Sequence, residues 1–235
     1  LRDRCLANLA AVRDRVAEAC RRAGRSAEDV RLIAVTKYVD TTITRLLAEC
    51  GCLDLAESRP QQLWEKAAAM TDMGPLIRWH VVGHLQRNKV RRTLPVVSLI
   101  HTLDSERLLA SLEAEAAMSG QPCNVLVEVN LSSDTARSGA APADVPALVS
   151  AAVRSPHLRL RGLMGMACHP DSPAADARRD FARLRELRDR LEADVPAEAL
   201  RQLSMGMSGD FEAAILEGST MLRIGSALFE GLVWS

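Results

Sequence analysis

The chain has 235 residues, 48% of them hydrophobic, which is enough to bury a sizeable core and falls within the size range of one α/β barrel domain. Thirty basic and thirty acidic side chains give a formal charge of zero, so no global field draws nucleic acid or an anionic membrane, and any anionic ligand must be held locally. No run of about eighteen apolar residues occurs, and Leu1-Arg2-Asp3-Arg4 opens an amphipathic pattern unlike a signal peptide, so a cytoplasmic protein without membrane contact is expected.

In chain order, an amphipathic helix is expected over residues 3–23, stopped by Gly24. Apolar runs rich in β-branched residues then recur at 30–37, 53–57, 79–85, 98–103, 124–131, 159–167, 202–207 and 221–229, with helical patterns between them. Asp104 is placed to cap a helix that starts at Ser105 and carries Leu108, Leu109 and Leu112. The stretch 138–146, with its Ala, Pro and Gly content, reads as one loop. The clearest helix, 174–193, sets Phe181, Leu184, Leu187 and Leu191 in one stripe among arginines and acids. Strict alternation of strand and helix implies parallel strands with right-handed crossovers, and eight strands in this length imply closure. The expected fold class is therefore α/β: a single (β/α)8 TIM-type barrel with an extra N-terminal helix, residues 1–235 forming one domain. An open doubly wound sheet is the alternative.

In such a barrel, reactive groups come from the carboxyl ends of the strands. Lys37 ends the first run and shares a face with Ile33 and Val35, which points its amine into the upper barrel. A desolvated amine there is a nucleophile able to form a Schiff base with a carbonyl; a rim lysine that reaches out to water is the alternative. Leu203-Ser-Met-Gly-Met-Ser-Gly-Asp210 runs from a strand into a helix and presents Gly206, Ser208 and Gly209 as a phosphate cradle or, more plainly, as a serine cap. Arg223-Ile-Gly-Ser226 adds the N–H groups of Gly225 and Ser226 beside it, where barrels commonly hold phosphate, and Arg223 lies on the same side. His80 and His84 lack a third ligand at metal spacing, and the six cysteines are scattered, so no metal site is expected. The cluster Arg87, Lys89, Arg91 and Arg92 has no interleaved aromatics and reads as a solvated helix face.

The stretches Ala34-Val-Thr-Lys37, Trp79-His-Val-Val-Gly-His-Leu-Gln86, Val129-Asn130 with Arg137-Ser-Gly139, and above all 203–231 resemble the pyridoxal phosphate homeostasis protein family over nearly the whole chain. The resemblance implies an alanine-racemase-type barrel without the racemase's second domain, with pyridoxal 5'-phosphate (PLP) as cofactor. Carried over by position, it makes Lys37 the Schiff-base lysine, gives the phosphate to Ser208 with the backbone of Gly225 and Ser226, and turns Arg223 toward the pyridine nitrogen. Ser58, His80, Ser204 and Met205 complete the expected cofactor-binding set. Ala56-Glu57-Ser58 stands where the family usually has Gly-Glu-Asn, and Arg137 where a lysine is common.

An arginine at the ring nitrogen stays charged and can only donate, which leaves that nitrogen unprotonated and the ring a weak electron sink. The one tyrosine, Tyr38, is sent by strand alternation away from the face of Lys37, so it does not serve as an opposing base. The function expected is reversible binding and buffering of PLP and its supply to PLP-dependent apoenzymes, by a monomer and without catalytic turnover. A slow PLP-dependent racemase or related enzyme is the alternative.

Overall fold

The computed structural model describes residues 1–132, 134, 137–168 and 176–232. Eight parallel strands follow one another around a closed barrel: β1 (Arg31–Val35), β2 (Asp54–Glu57), β3 (Arg78–Val81), β4 (Val97–Leu103), β5 (Cys123–Val129), β6 (Leu158–Gly165), β7 (Gln202–Ser204) and β8 (Met221–Ile224). β8 pairs back onto β1, from Arg31 opposite Met221 to Ala34 opposite Ile224. The expected barrel is thus the observed one. Around it lie α1 (Arg2–Arg22), α2 (Thr41–Glu49), α3 (Pro60–Ala69), α4 (Val90–Thr93), α5 (Glu106–Ser119), α6 (Val145–Arg154), α7 (Ala177–Leu191), α8 (Phe211–Leu216) and α9 (Ser226–Phe229).

The strands are shorter than the apolar runs that announce them. β1 stops at Val35, β3 at Val81, β7 at Ser204 and β8 at Ile224, after which residues 226–229 turn into a short helix. The runs continue because Leu85, Met205, Leu228 and Phe229 are buried beyond the strand ends, and apolar content alone does not separate a strand from the packed turn after it. The loop expected over 138–146 likewise ends early, since α6 begins at Val145 with Pro146 in its first turn, where a missing N–H costs nothing. Ser105, not Asp104, caps α5: its hydroxyl accepts from Leu108 N at 3.4 Å and donates to Asp104 Oδ1 at 2.8 Å. The helix expected over 174–193 is α7, capped by Asp176 through Arg179 N at 3.0 Å; residues 174 and 175 lie outside the described residues.

The main apolar core fills the space between barrel and helices, while a smaller cluster of Ile33, Ala56, Leu99, Leu126, Met164 and Met221 plugs the barrel itself. Two residues along from these plugs, strand alternation brings Asp54, His101, Glu128 and Arg223, all buried. The barrel interior is therefore polar at both ends of its plug, and those groups need partners. The extra helix α1 packs its buried stripe of Cys5, Leu9, Val12, Val16 and Ala19 on α8 and α9. Asn8 on that helix donates to Leu228 O (3.1 Å) and Glu230 O (2.9 Å), which ties down the chain just after β8. All six cysteines are free, five of them buried.

Gly162 pairs with Gln202 between β6 and β7, and a Cβ there would come within 1.8 Å of Gln202 O. Gly162→Ala is expected to force these strands apart and to cost about 3 kcal/mol, the upper range of overpacking. The midpoint of urea unfolding, followed by far-UV circular dichroism, measures it.

Candidate functional site

A cavity of about 870 Å³ opens at the carboxyl ends of the strands, within the size range of small-molecule sites. Of the expected residues, Lys37, Ser58, Ser208, Arg223, Gly225 and Ser226 line it. Val35, Val82 and Met166 form part of its apolar wall, and Tyr38 and Met207 stand at its rim, both exposed.

Lys37 is carried by the turn after β1, and it is exposed instead of desolvated. The turn is held firmly on its inner side. Thr36 donates through its backbone N–H to Ala56 O (2.9 Å) and through its hydroxyl to Glu57 Oε1 (2.6 Å). Buried Lys66 on α3 donates to Thr36 O (2.7 Å) and to Glu57 Oε1 (2.5 Å). On the far side, Asp40 caps α2 through Ile43 N at 2.9 Å. Because β1 has already ended, alternation no longer separates Tyr38 from Lys37: the Lys37 ammonium lies 4.8 Å from the centre of the Tyr38 ring. This corrects the expectation that Tyr38 turns away, although the ring adjoins the amine and does not face it across the cavity.

The opposite wall comes from the ends of β7 and β8. Gly206 adopts φ +94° and its carbonyl accepts from Arg223 N at 3.0 Å; a Cβ there would meet Ala214 Cβ at 2.7 Å, so only glycine lets α8 approach this closely. Asp210 folds back to accept from Met207 N at 2.6 Å. The backbone N–H groups of Gly225 (3.3 Å) and Ala227 (3.4 Å) converge on Ser208 Oγ, and Ser226 between them lines the cavity. With two N–H groups donating to its oxygen, the Ser208 hydroxyl proton is left to donate to an anion.

Arg223 is buried and donates from Nη1 to Ser204 Oγ (2.8 Å) and from Nη2 to Gly165 O (3.1 Å). Among the described residues no carboxylate hydrogen-bonds to it. Burial pushes its pKa down to about 10, against the pull of Asp210 and Glu128. Burial also raises the carboxyl pKa of both those acids. The guanidinium thus meets the cavity as a charge without a contacting counter-ion, which fits an electron-rich ligand atom.

Three expected residues stand elsewhere. Ser204 points into the barrel beneath Arg223, and Met205, just past the end of β7, packs in the outer core. His80 is buried between Asp54 and His101 and does not line the cavity. Glu57 is absorbed by its pairing with Lys66, and Asn130 by its own loop, where it bonds Asp134 O and Arg137 O. His84 is exposed and meets only Asp104, and among the described residues no cluster could hold a metal. Lys66, His101 and Tyr38 were not singled out for the roles they take. His101 carried a signal, since alternation sets it on the same inward face as Leu99.

A closed barrel with an amine on one side of its mouth, a serine and N–H cradle on the other and an arginine at its floor defines a class of protein. Residues 7–232 match the alanine racemase N-terminal domain family. Curated relatives named pyridoxal phosphate homeostasis protein are 37% identical in Aquifex aeolicus, covering 94% of this chain and 95% of the relative, and 40% identical in Pseudomonas aeruginosa, covering 94% and 93%. The structure of PipY from Synechococcus elongatus, solved with PLP bound, superposes with a TM-score of 0.84 at 31% identity, covering 96% of this chain and 99% of PipY. The chain belongs to the pyridoxal phosphate homeostasis protein family. An alanine racemase of Clostridium difficile shares the fold (TM-score 0.74) at 16% identity, and the match covers 97% of this chain but 56% of the racemase. No helix among the described residues is long and apolar enough to cross a membrane.

Lys66→Met would leave the Glu57 carboxylate buried and unpaired and unfasten the turn of Lys37. A loss of about 3–5 kcal/mol in unfolding free energy is expected, with the double variant Lys66→Met/Glu57→Gln recovering part of it in the same denaturation assay.

Proposed function

We propose that this chain binds PLP in the rim cavity, anchors it reversibly on Lys37 and releases it to PLP-dependent apoenzymes. The observation that carries this reading is the convergence in one cavity of three unlike groups: the exposed amine of Lys37, the guanidinium of Arg223 and the Ser208 cradle. The names of the relatives and the cofactor bound to PipY support it. When bound, the cofactor supplies an aldehyde that condenses with a primary amine and a pyridine ring that can accept electron density.

The residues present suit that group. Ser208, with the backbone of Gly225 and Ser226, would hold the phosphate, the backbone donors lending partial positive charge without a mobile side chain. Ser226 and Ser58 line the same cavity and would meet the edges of the ligand. Arg223 would donate to the ring nitrogen and, remaining charged, would give it no proton. Lys37, exposed at the mouth, is open to water, which suits loading and unloading more than a sealed reaction chamber.

Absence of turnover is part of the proposal. Tyr38 stands beside Lys37, so it offers no base on the opposite face of a substrate carbon. Every residue assigned a role comes from one chain, and a monomer is proposed as the working unit. The cytosol, with its PLP-dependent apoenzymes, is the proposed setting.

Incubation with PLP followed by borohydride is expected to fix one cofactor on the peptide that carries Lys37, as read by mass spectrometry, and Lys37→Ala is expected to abolish that labelling. Ser208→Ala should keep the labelled site but weaken PLP binding about tenfold, the loss of one hydrogen bond to a charged group. Labelling that persists on another residue in Lys37→Ala, or substrate-specific exchange of amino-acid α-protons by the loaded protein, counts against the reading.

A further inference from the structure

Arg223 is the end of a longer series of contacts. Its Nη1 is 2.8 Å from Ser204 Oγ, which is 2.9 Å from His101 Nδ1. His101 Nε2 is 3.0 Å from His80 Nδ1, and His80 Nε2 is 3.1 Å from Asp54 Oδ1. The five side chains come from β8, β7, β4, β3 and β2, and none is more than 6% exposed. Asp54 is held in turn by Arg78 through two bonds, 2.8 Å to Oδ1 and 2.6 Å to Oδ2, at the first residues of β2 and β3. The series therefore runs through the barrel from its amino-terminal rim to the floor of the cavity.

We infer that these five groups form a one-way hydrogen-bond relay, and that His80, His101 and Ser204 are positioning residues for the cavity arginine. The direction follows from the two ends. An ionised carboxylate only accepts, so His80 carries its proton on Nε2. A neutral ring has one proton, so His80 Nδ1 accepts, and His101 must present Nε2–H to it. His101 Nδ1 then accepts the Ser204 hydroxyl proton, and the Ser204 oxygen accepts from Arg223, which only donates. Each group is satisfied once along the series. A second proton on His80 would set Nδ1–H against the Nε2–H of His101.

The electrostatic surroundings agree with two neutral rings. The charged groups facing them are Asp54 on β2, Arg31 on β1, Arg78 on β3 and Arg223 on β8. Burial lowers the pKa of both histidines and outweighs the pull of Asp54 on His80. Burial, the neighbouring His80 ring, Arg223 and Arg31 act together on His101, whose pKa falls well below the ordinary value. The hydrogen bonds from Arg78 and His80 overcome burial at Asp54 and hold its carboxyl far below the usual range.

The arrangement orients a guanidinium without placing a carboxylate against it. The nearest settled negative charge in the series is four hydrogen bonds away, so the cavity keeps its positive potential for an anionic ligand. For its functional consequence the inference rests on the PLP reading; for the proton positions it does not.

Long-range proton–nitrogen NMR of ¹⁵N-histidine protein without ligand tests the relay itself, with His84→Asn, His157→Asn and His169→Asn assigning the three rings outside the series. Two rings are expected as neutral Nε2–H tautomers that do not titrate between about pH 5.5 and 8.5, the range over which an ordinary histidine changes charge. Titration of His80 or His101 in that range, or an Nδ1–H form of either, overturns the relay.

The positioning role is tested by pairing His101→Gln, whose amide still accepts at one end and donates at the other, with His101→Leu, which does neither. PLP dissociation constants are expected to rise about tenfold in the leucine variant and to return to within about threefold of the parent in the glutamine variant. Equal affinities in parent and leucine variant, or no recovery with glutamine, overturn it. Ser204→Ala cuts the relay next to the arginine with little change in volume and carries the same tenfold expectation should His101→Leu fail to fold. A parent protein that binds no PLP would refute the proposed function and leave the NMR result to decide the relay.

Discussion

A guanidinium buried in a barrel has to find acceptors there, and the way Arg223 finds them organises much of this molecule. Its two side-chain hydrogen bonds among the described residues go to a serine hydroxyl from β7 and the carbonyl of Gly165 at the end of β6. Neither carries charge. Satisfying the arginine with neutral acceptors avoids the direct ion pair that would cancel its field, at the cost of lining the barrel with polar groups that must themselves be matched. Past the small apolar plug from Ile33 to Met221, these polar groups run on through His101 and His80 to the ion pair of Asp54 and Arg78 at the other end.

The same economy operates on the other side of the mouth. Lys37 is exposed, yet the residue before it is gripped by Ala56, Glu57 and Lys66, and the helix after it is capped by Asp40. An exposed side chain on a fastened base can reach a ligand and withdraw from it without moving the fold. The cradle is the reverse case, with donors built almost wholly from backbone and fixed by Gly206 and by the pairing of β7 with β8.

Much of this was legible in the sequence, for identifiable reasons. The barrel followed from alternation of strand and helix, and Lys37, Ser208 and Arg223 stood out because polar residues at the ends of apolar runs demand explanation. Alternation is carried too far at Tyr38, which lies three residues past Val35, the last residue of β1. Ser204 and Met205 belong to the expected cofactor-binding set, yet one bonds Arg223 inside the barrel and the other, just past the end of β7, packs in the outer core. Pairings such as Lys66 with Glu57, or His80 with His101, join different elements, and no local pattern encodes which buried polar group will meet which.

The closure of β8 on β1 sets the order in which the site can come into being. Lys37 follows the first strand, while Ser208 and Arg223 belong to the last two, so the two walls meet only when the ends of the barrel find each other. Such long-range closure is a slow step. During synthesis the lysine would emerge from the ribosome well before its cavity exists, and a free aldehyde meeting it then would find an ordinary amine with neither cradle nor arginine to retain the ligand. Tight retention would thus report a completed barrel, and a ligand held across both walls would act as a clasp on the seam between first strand and last.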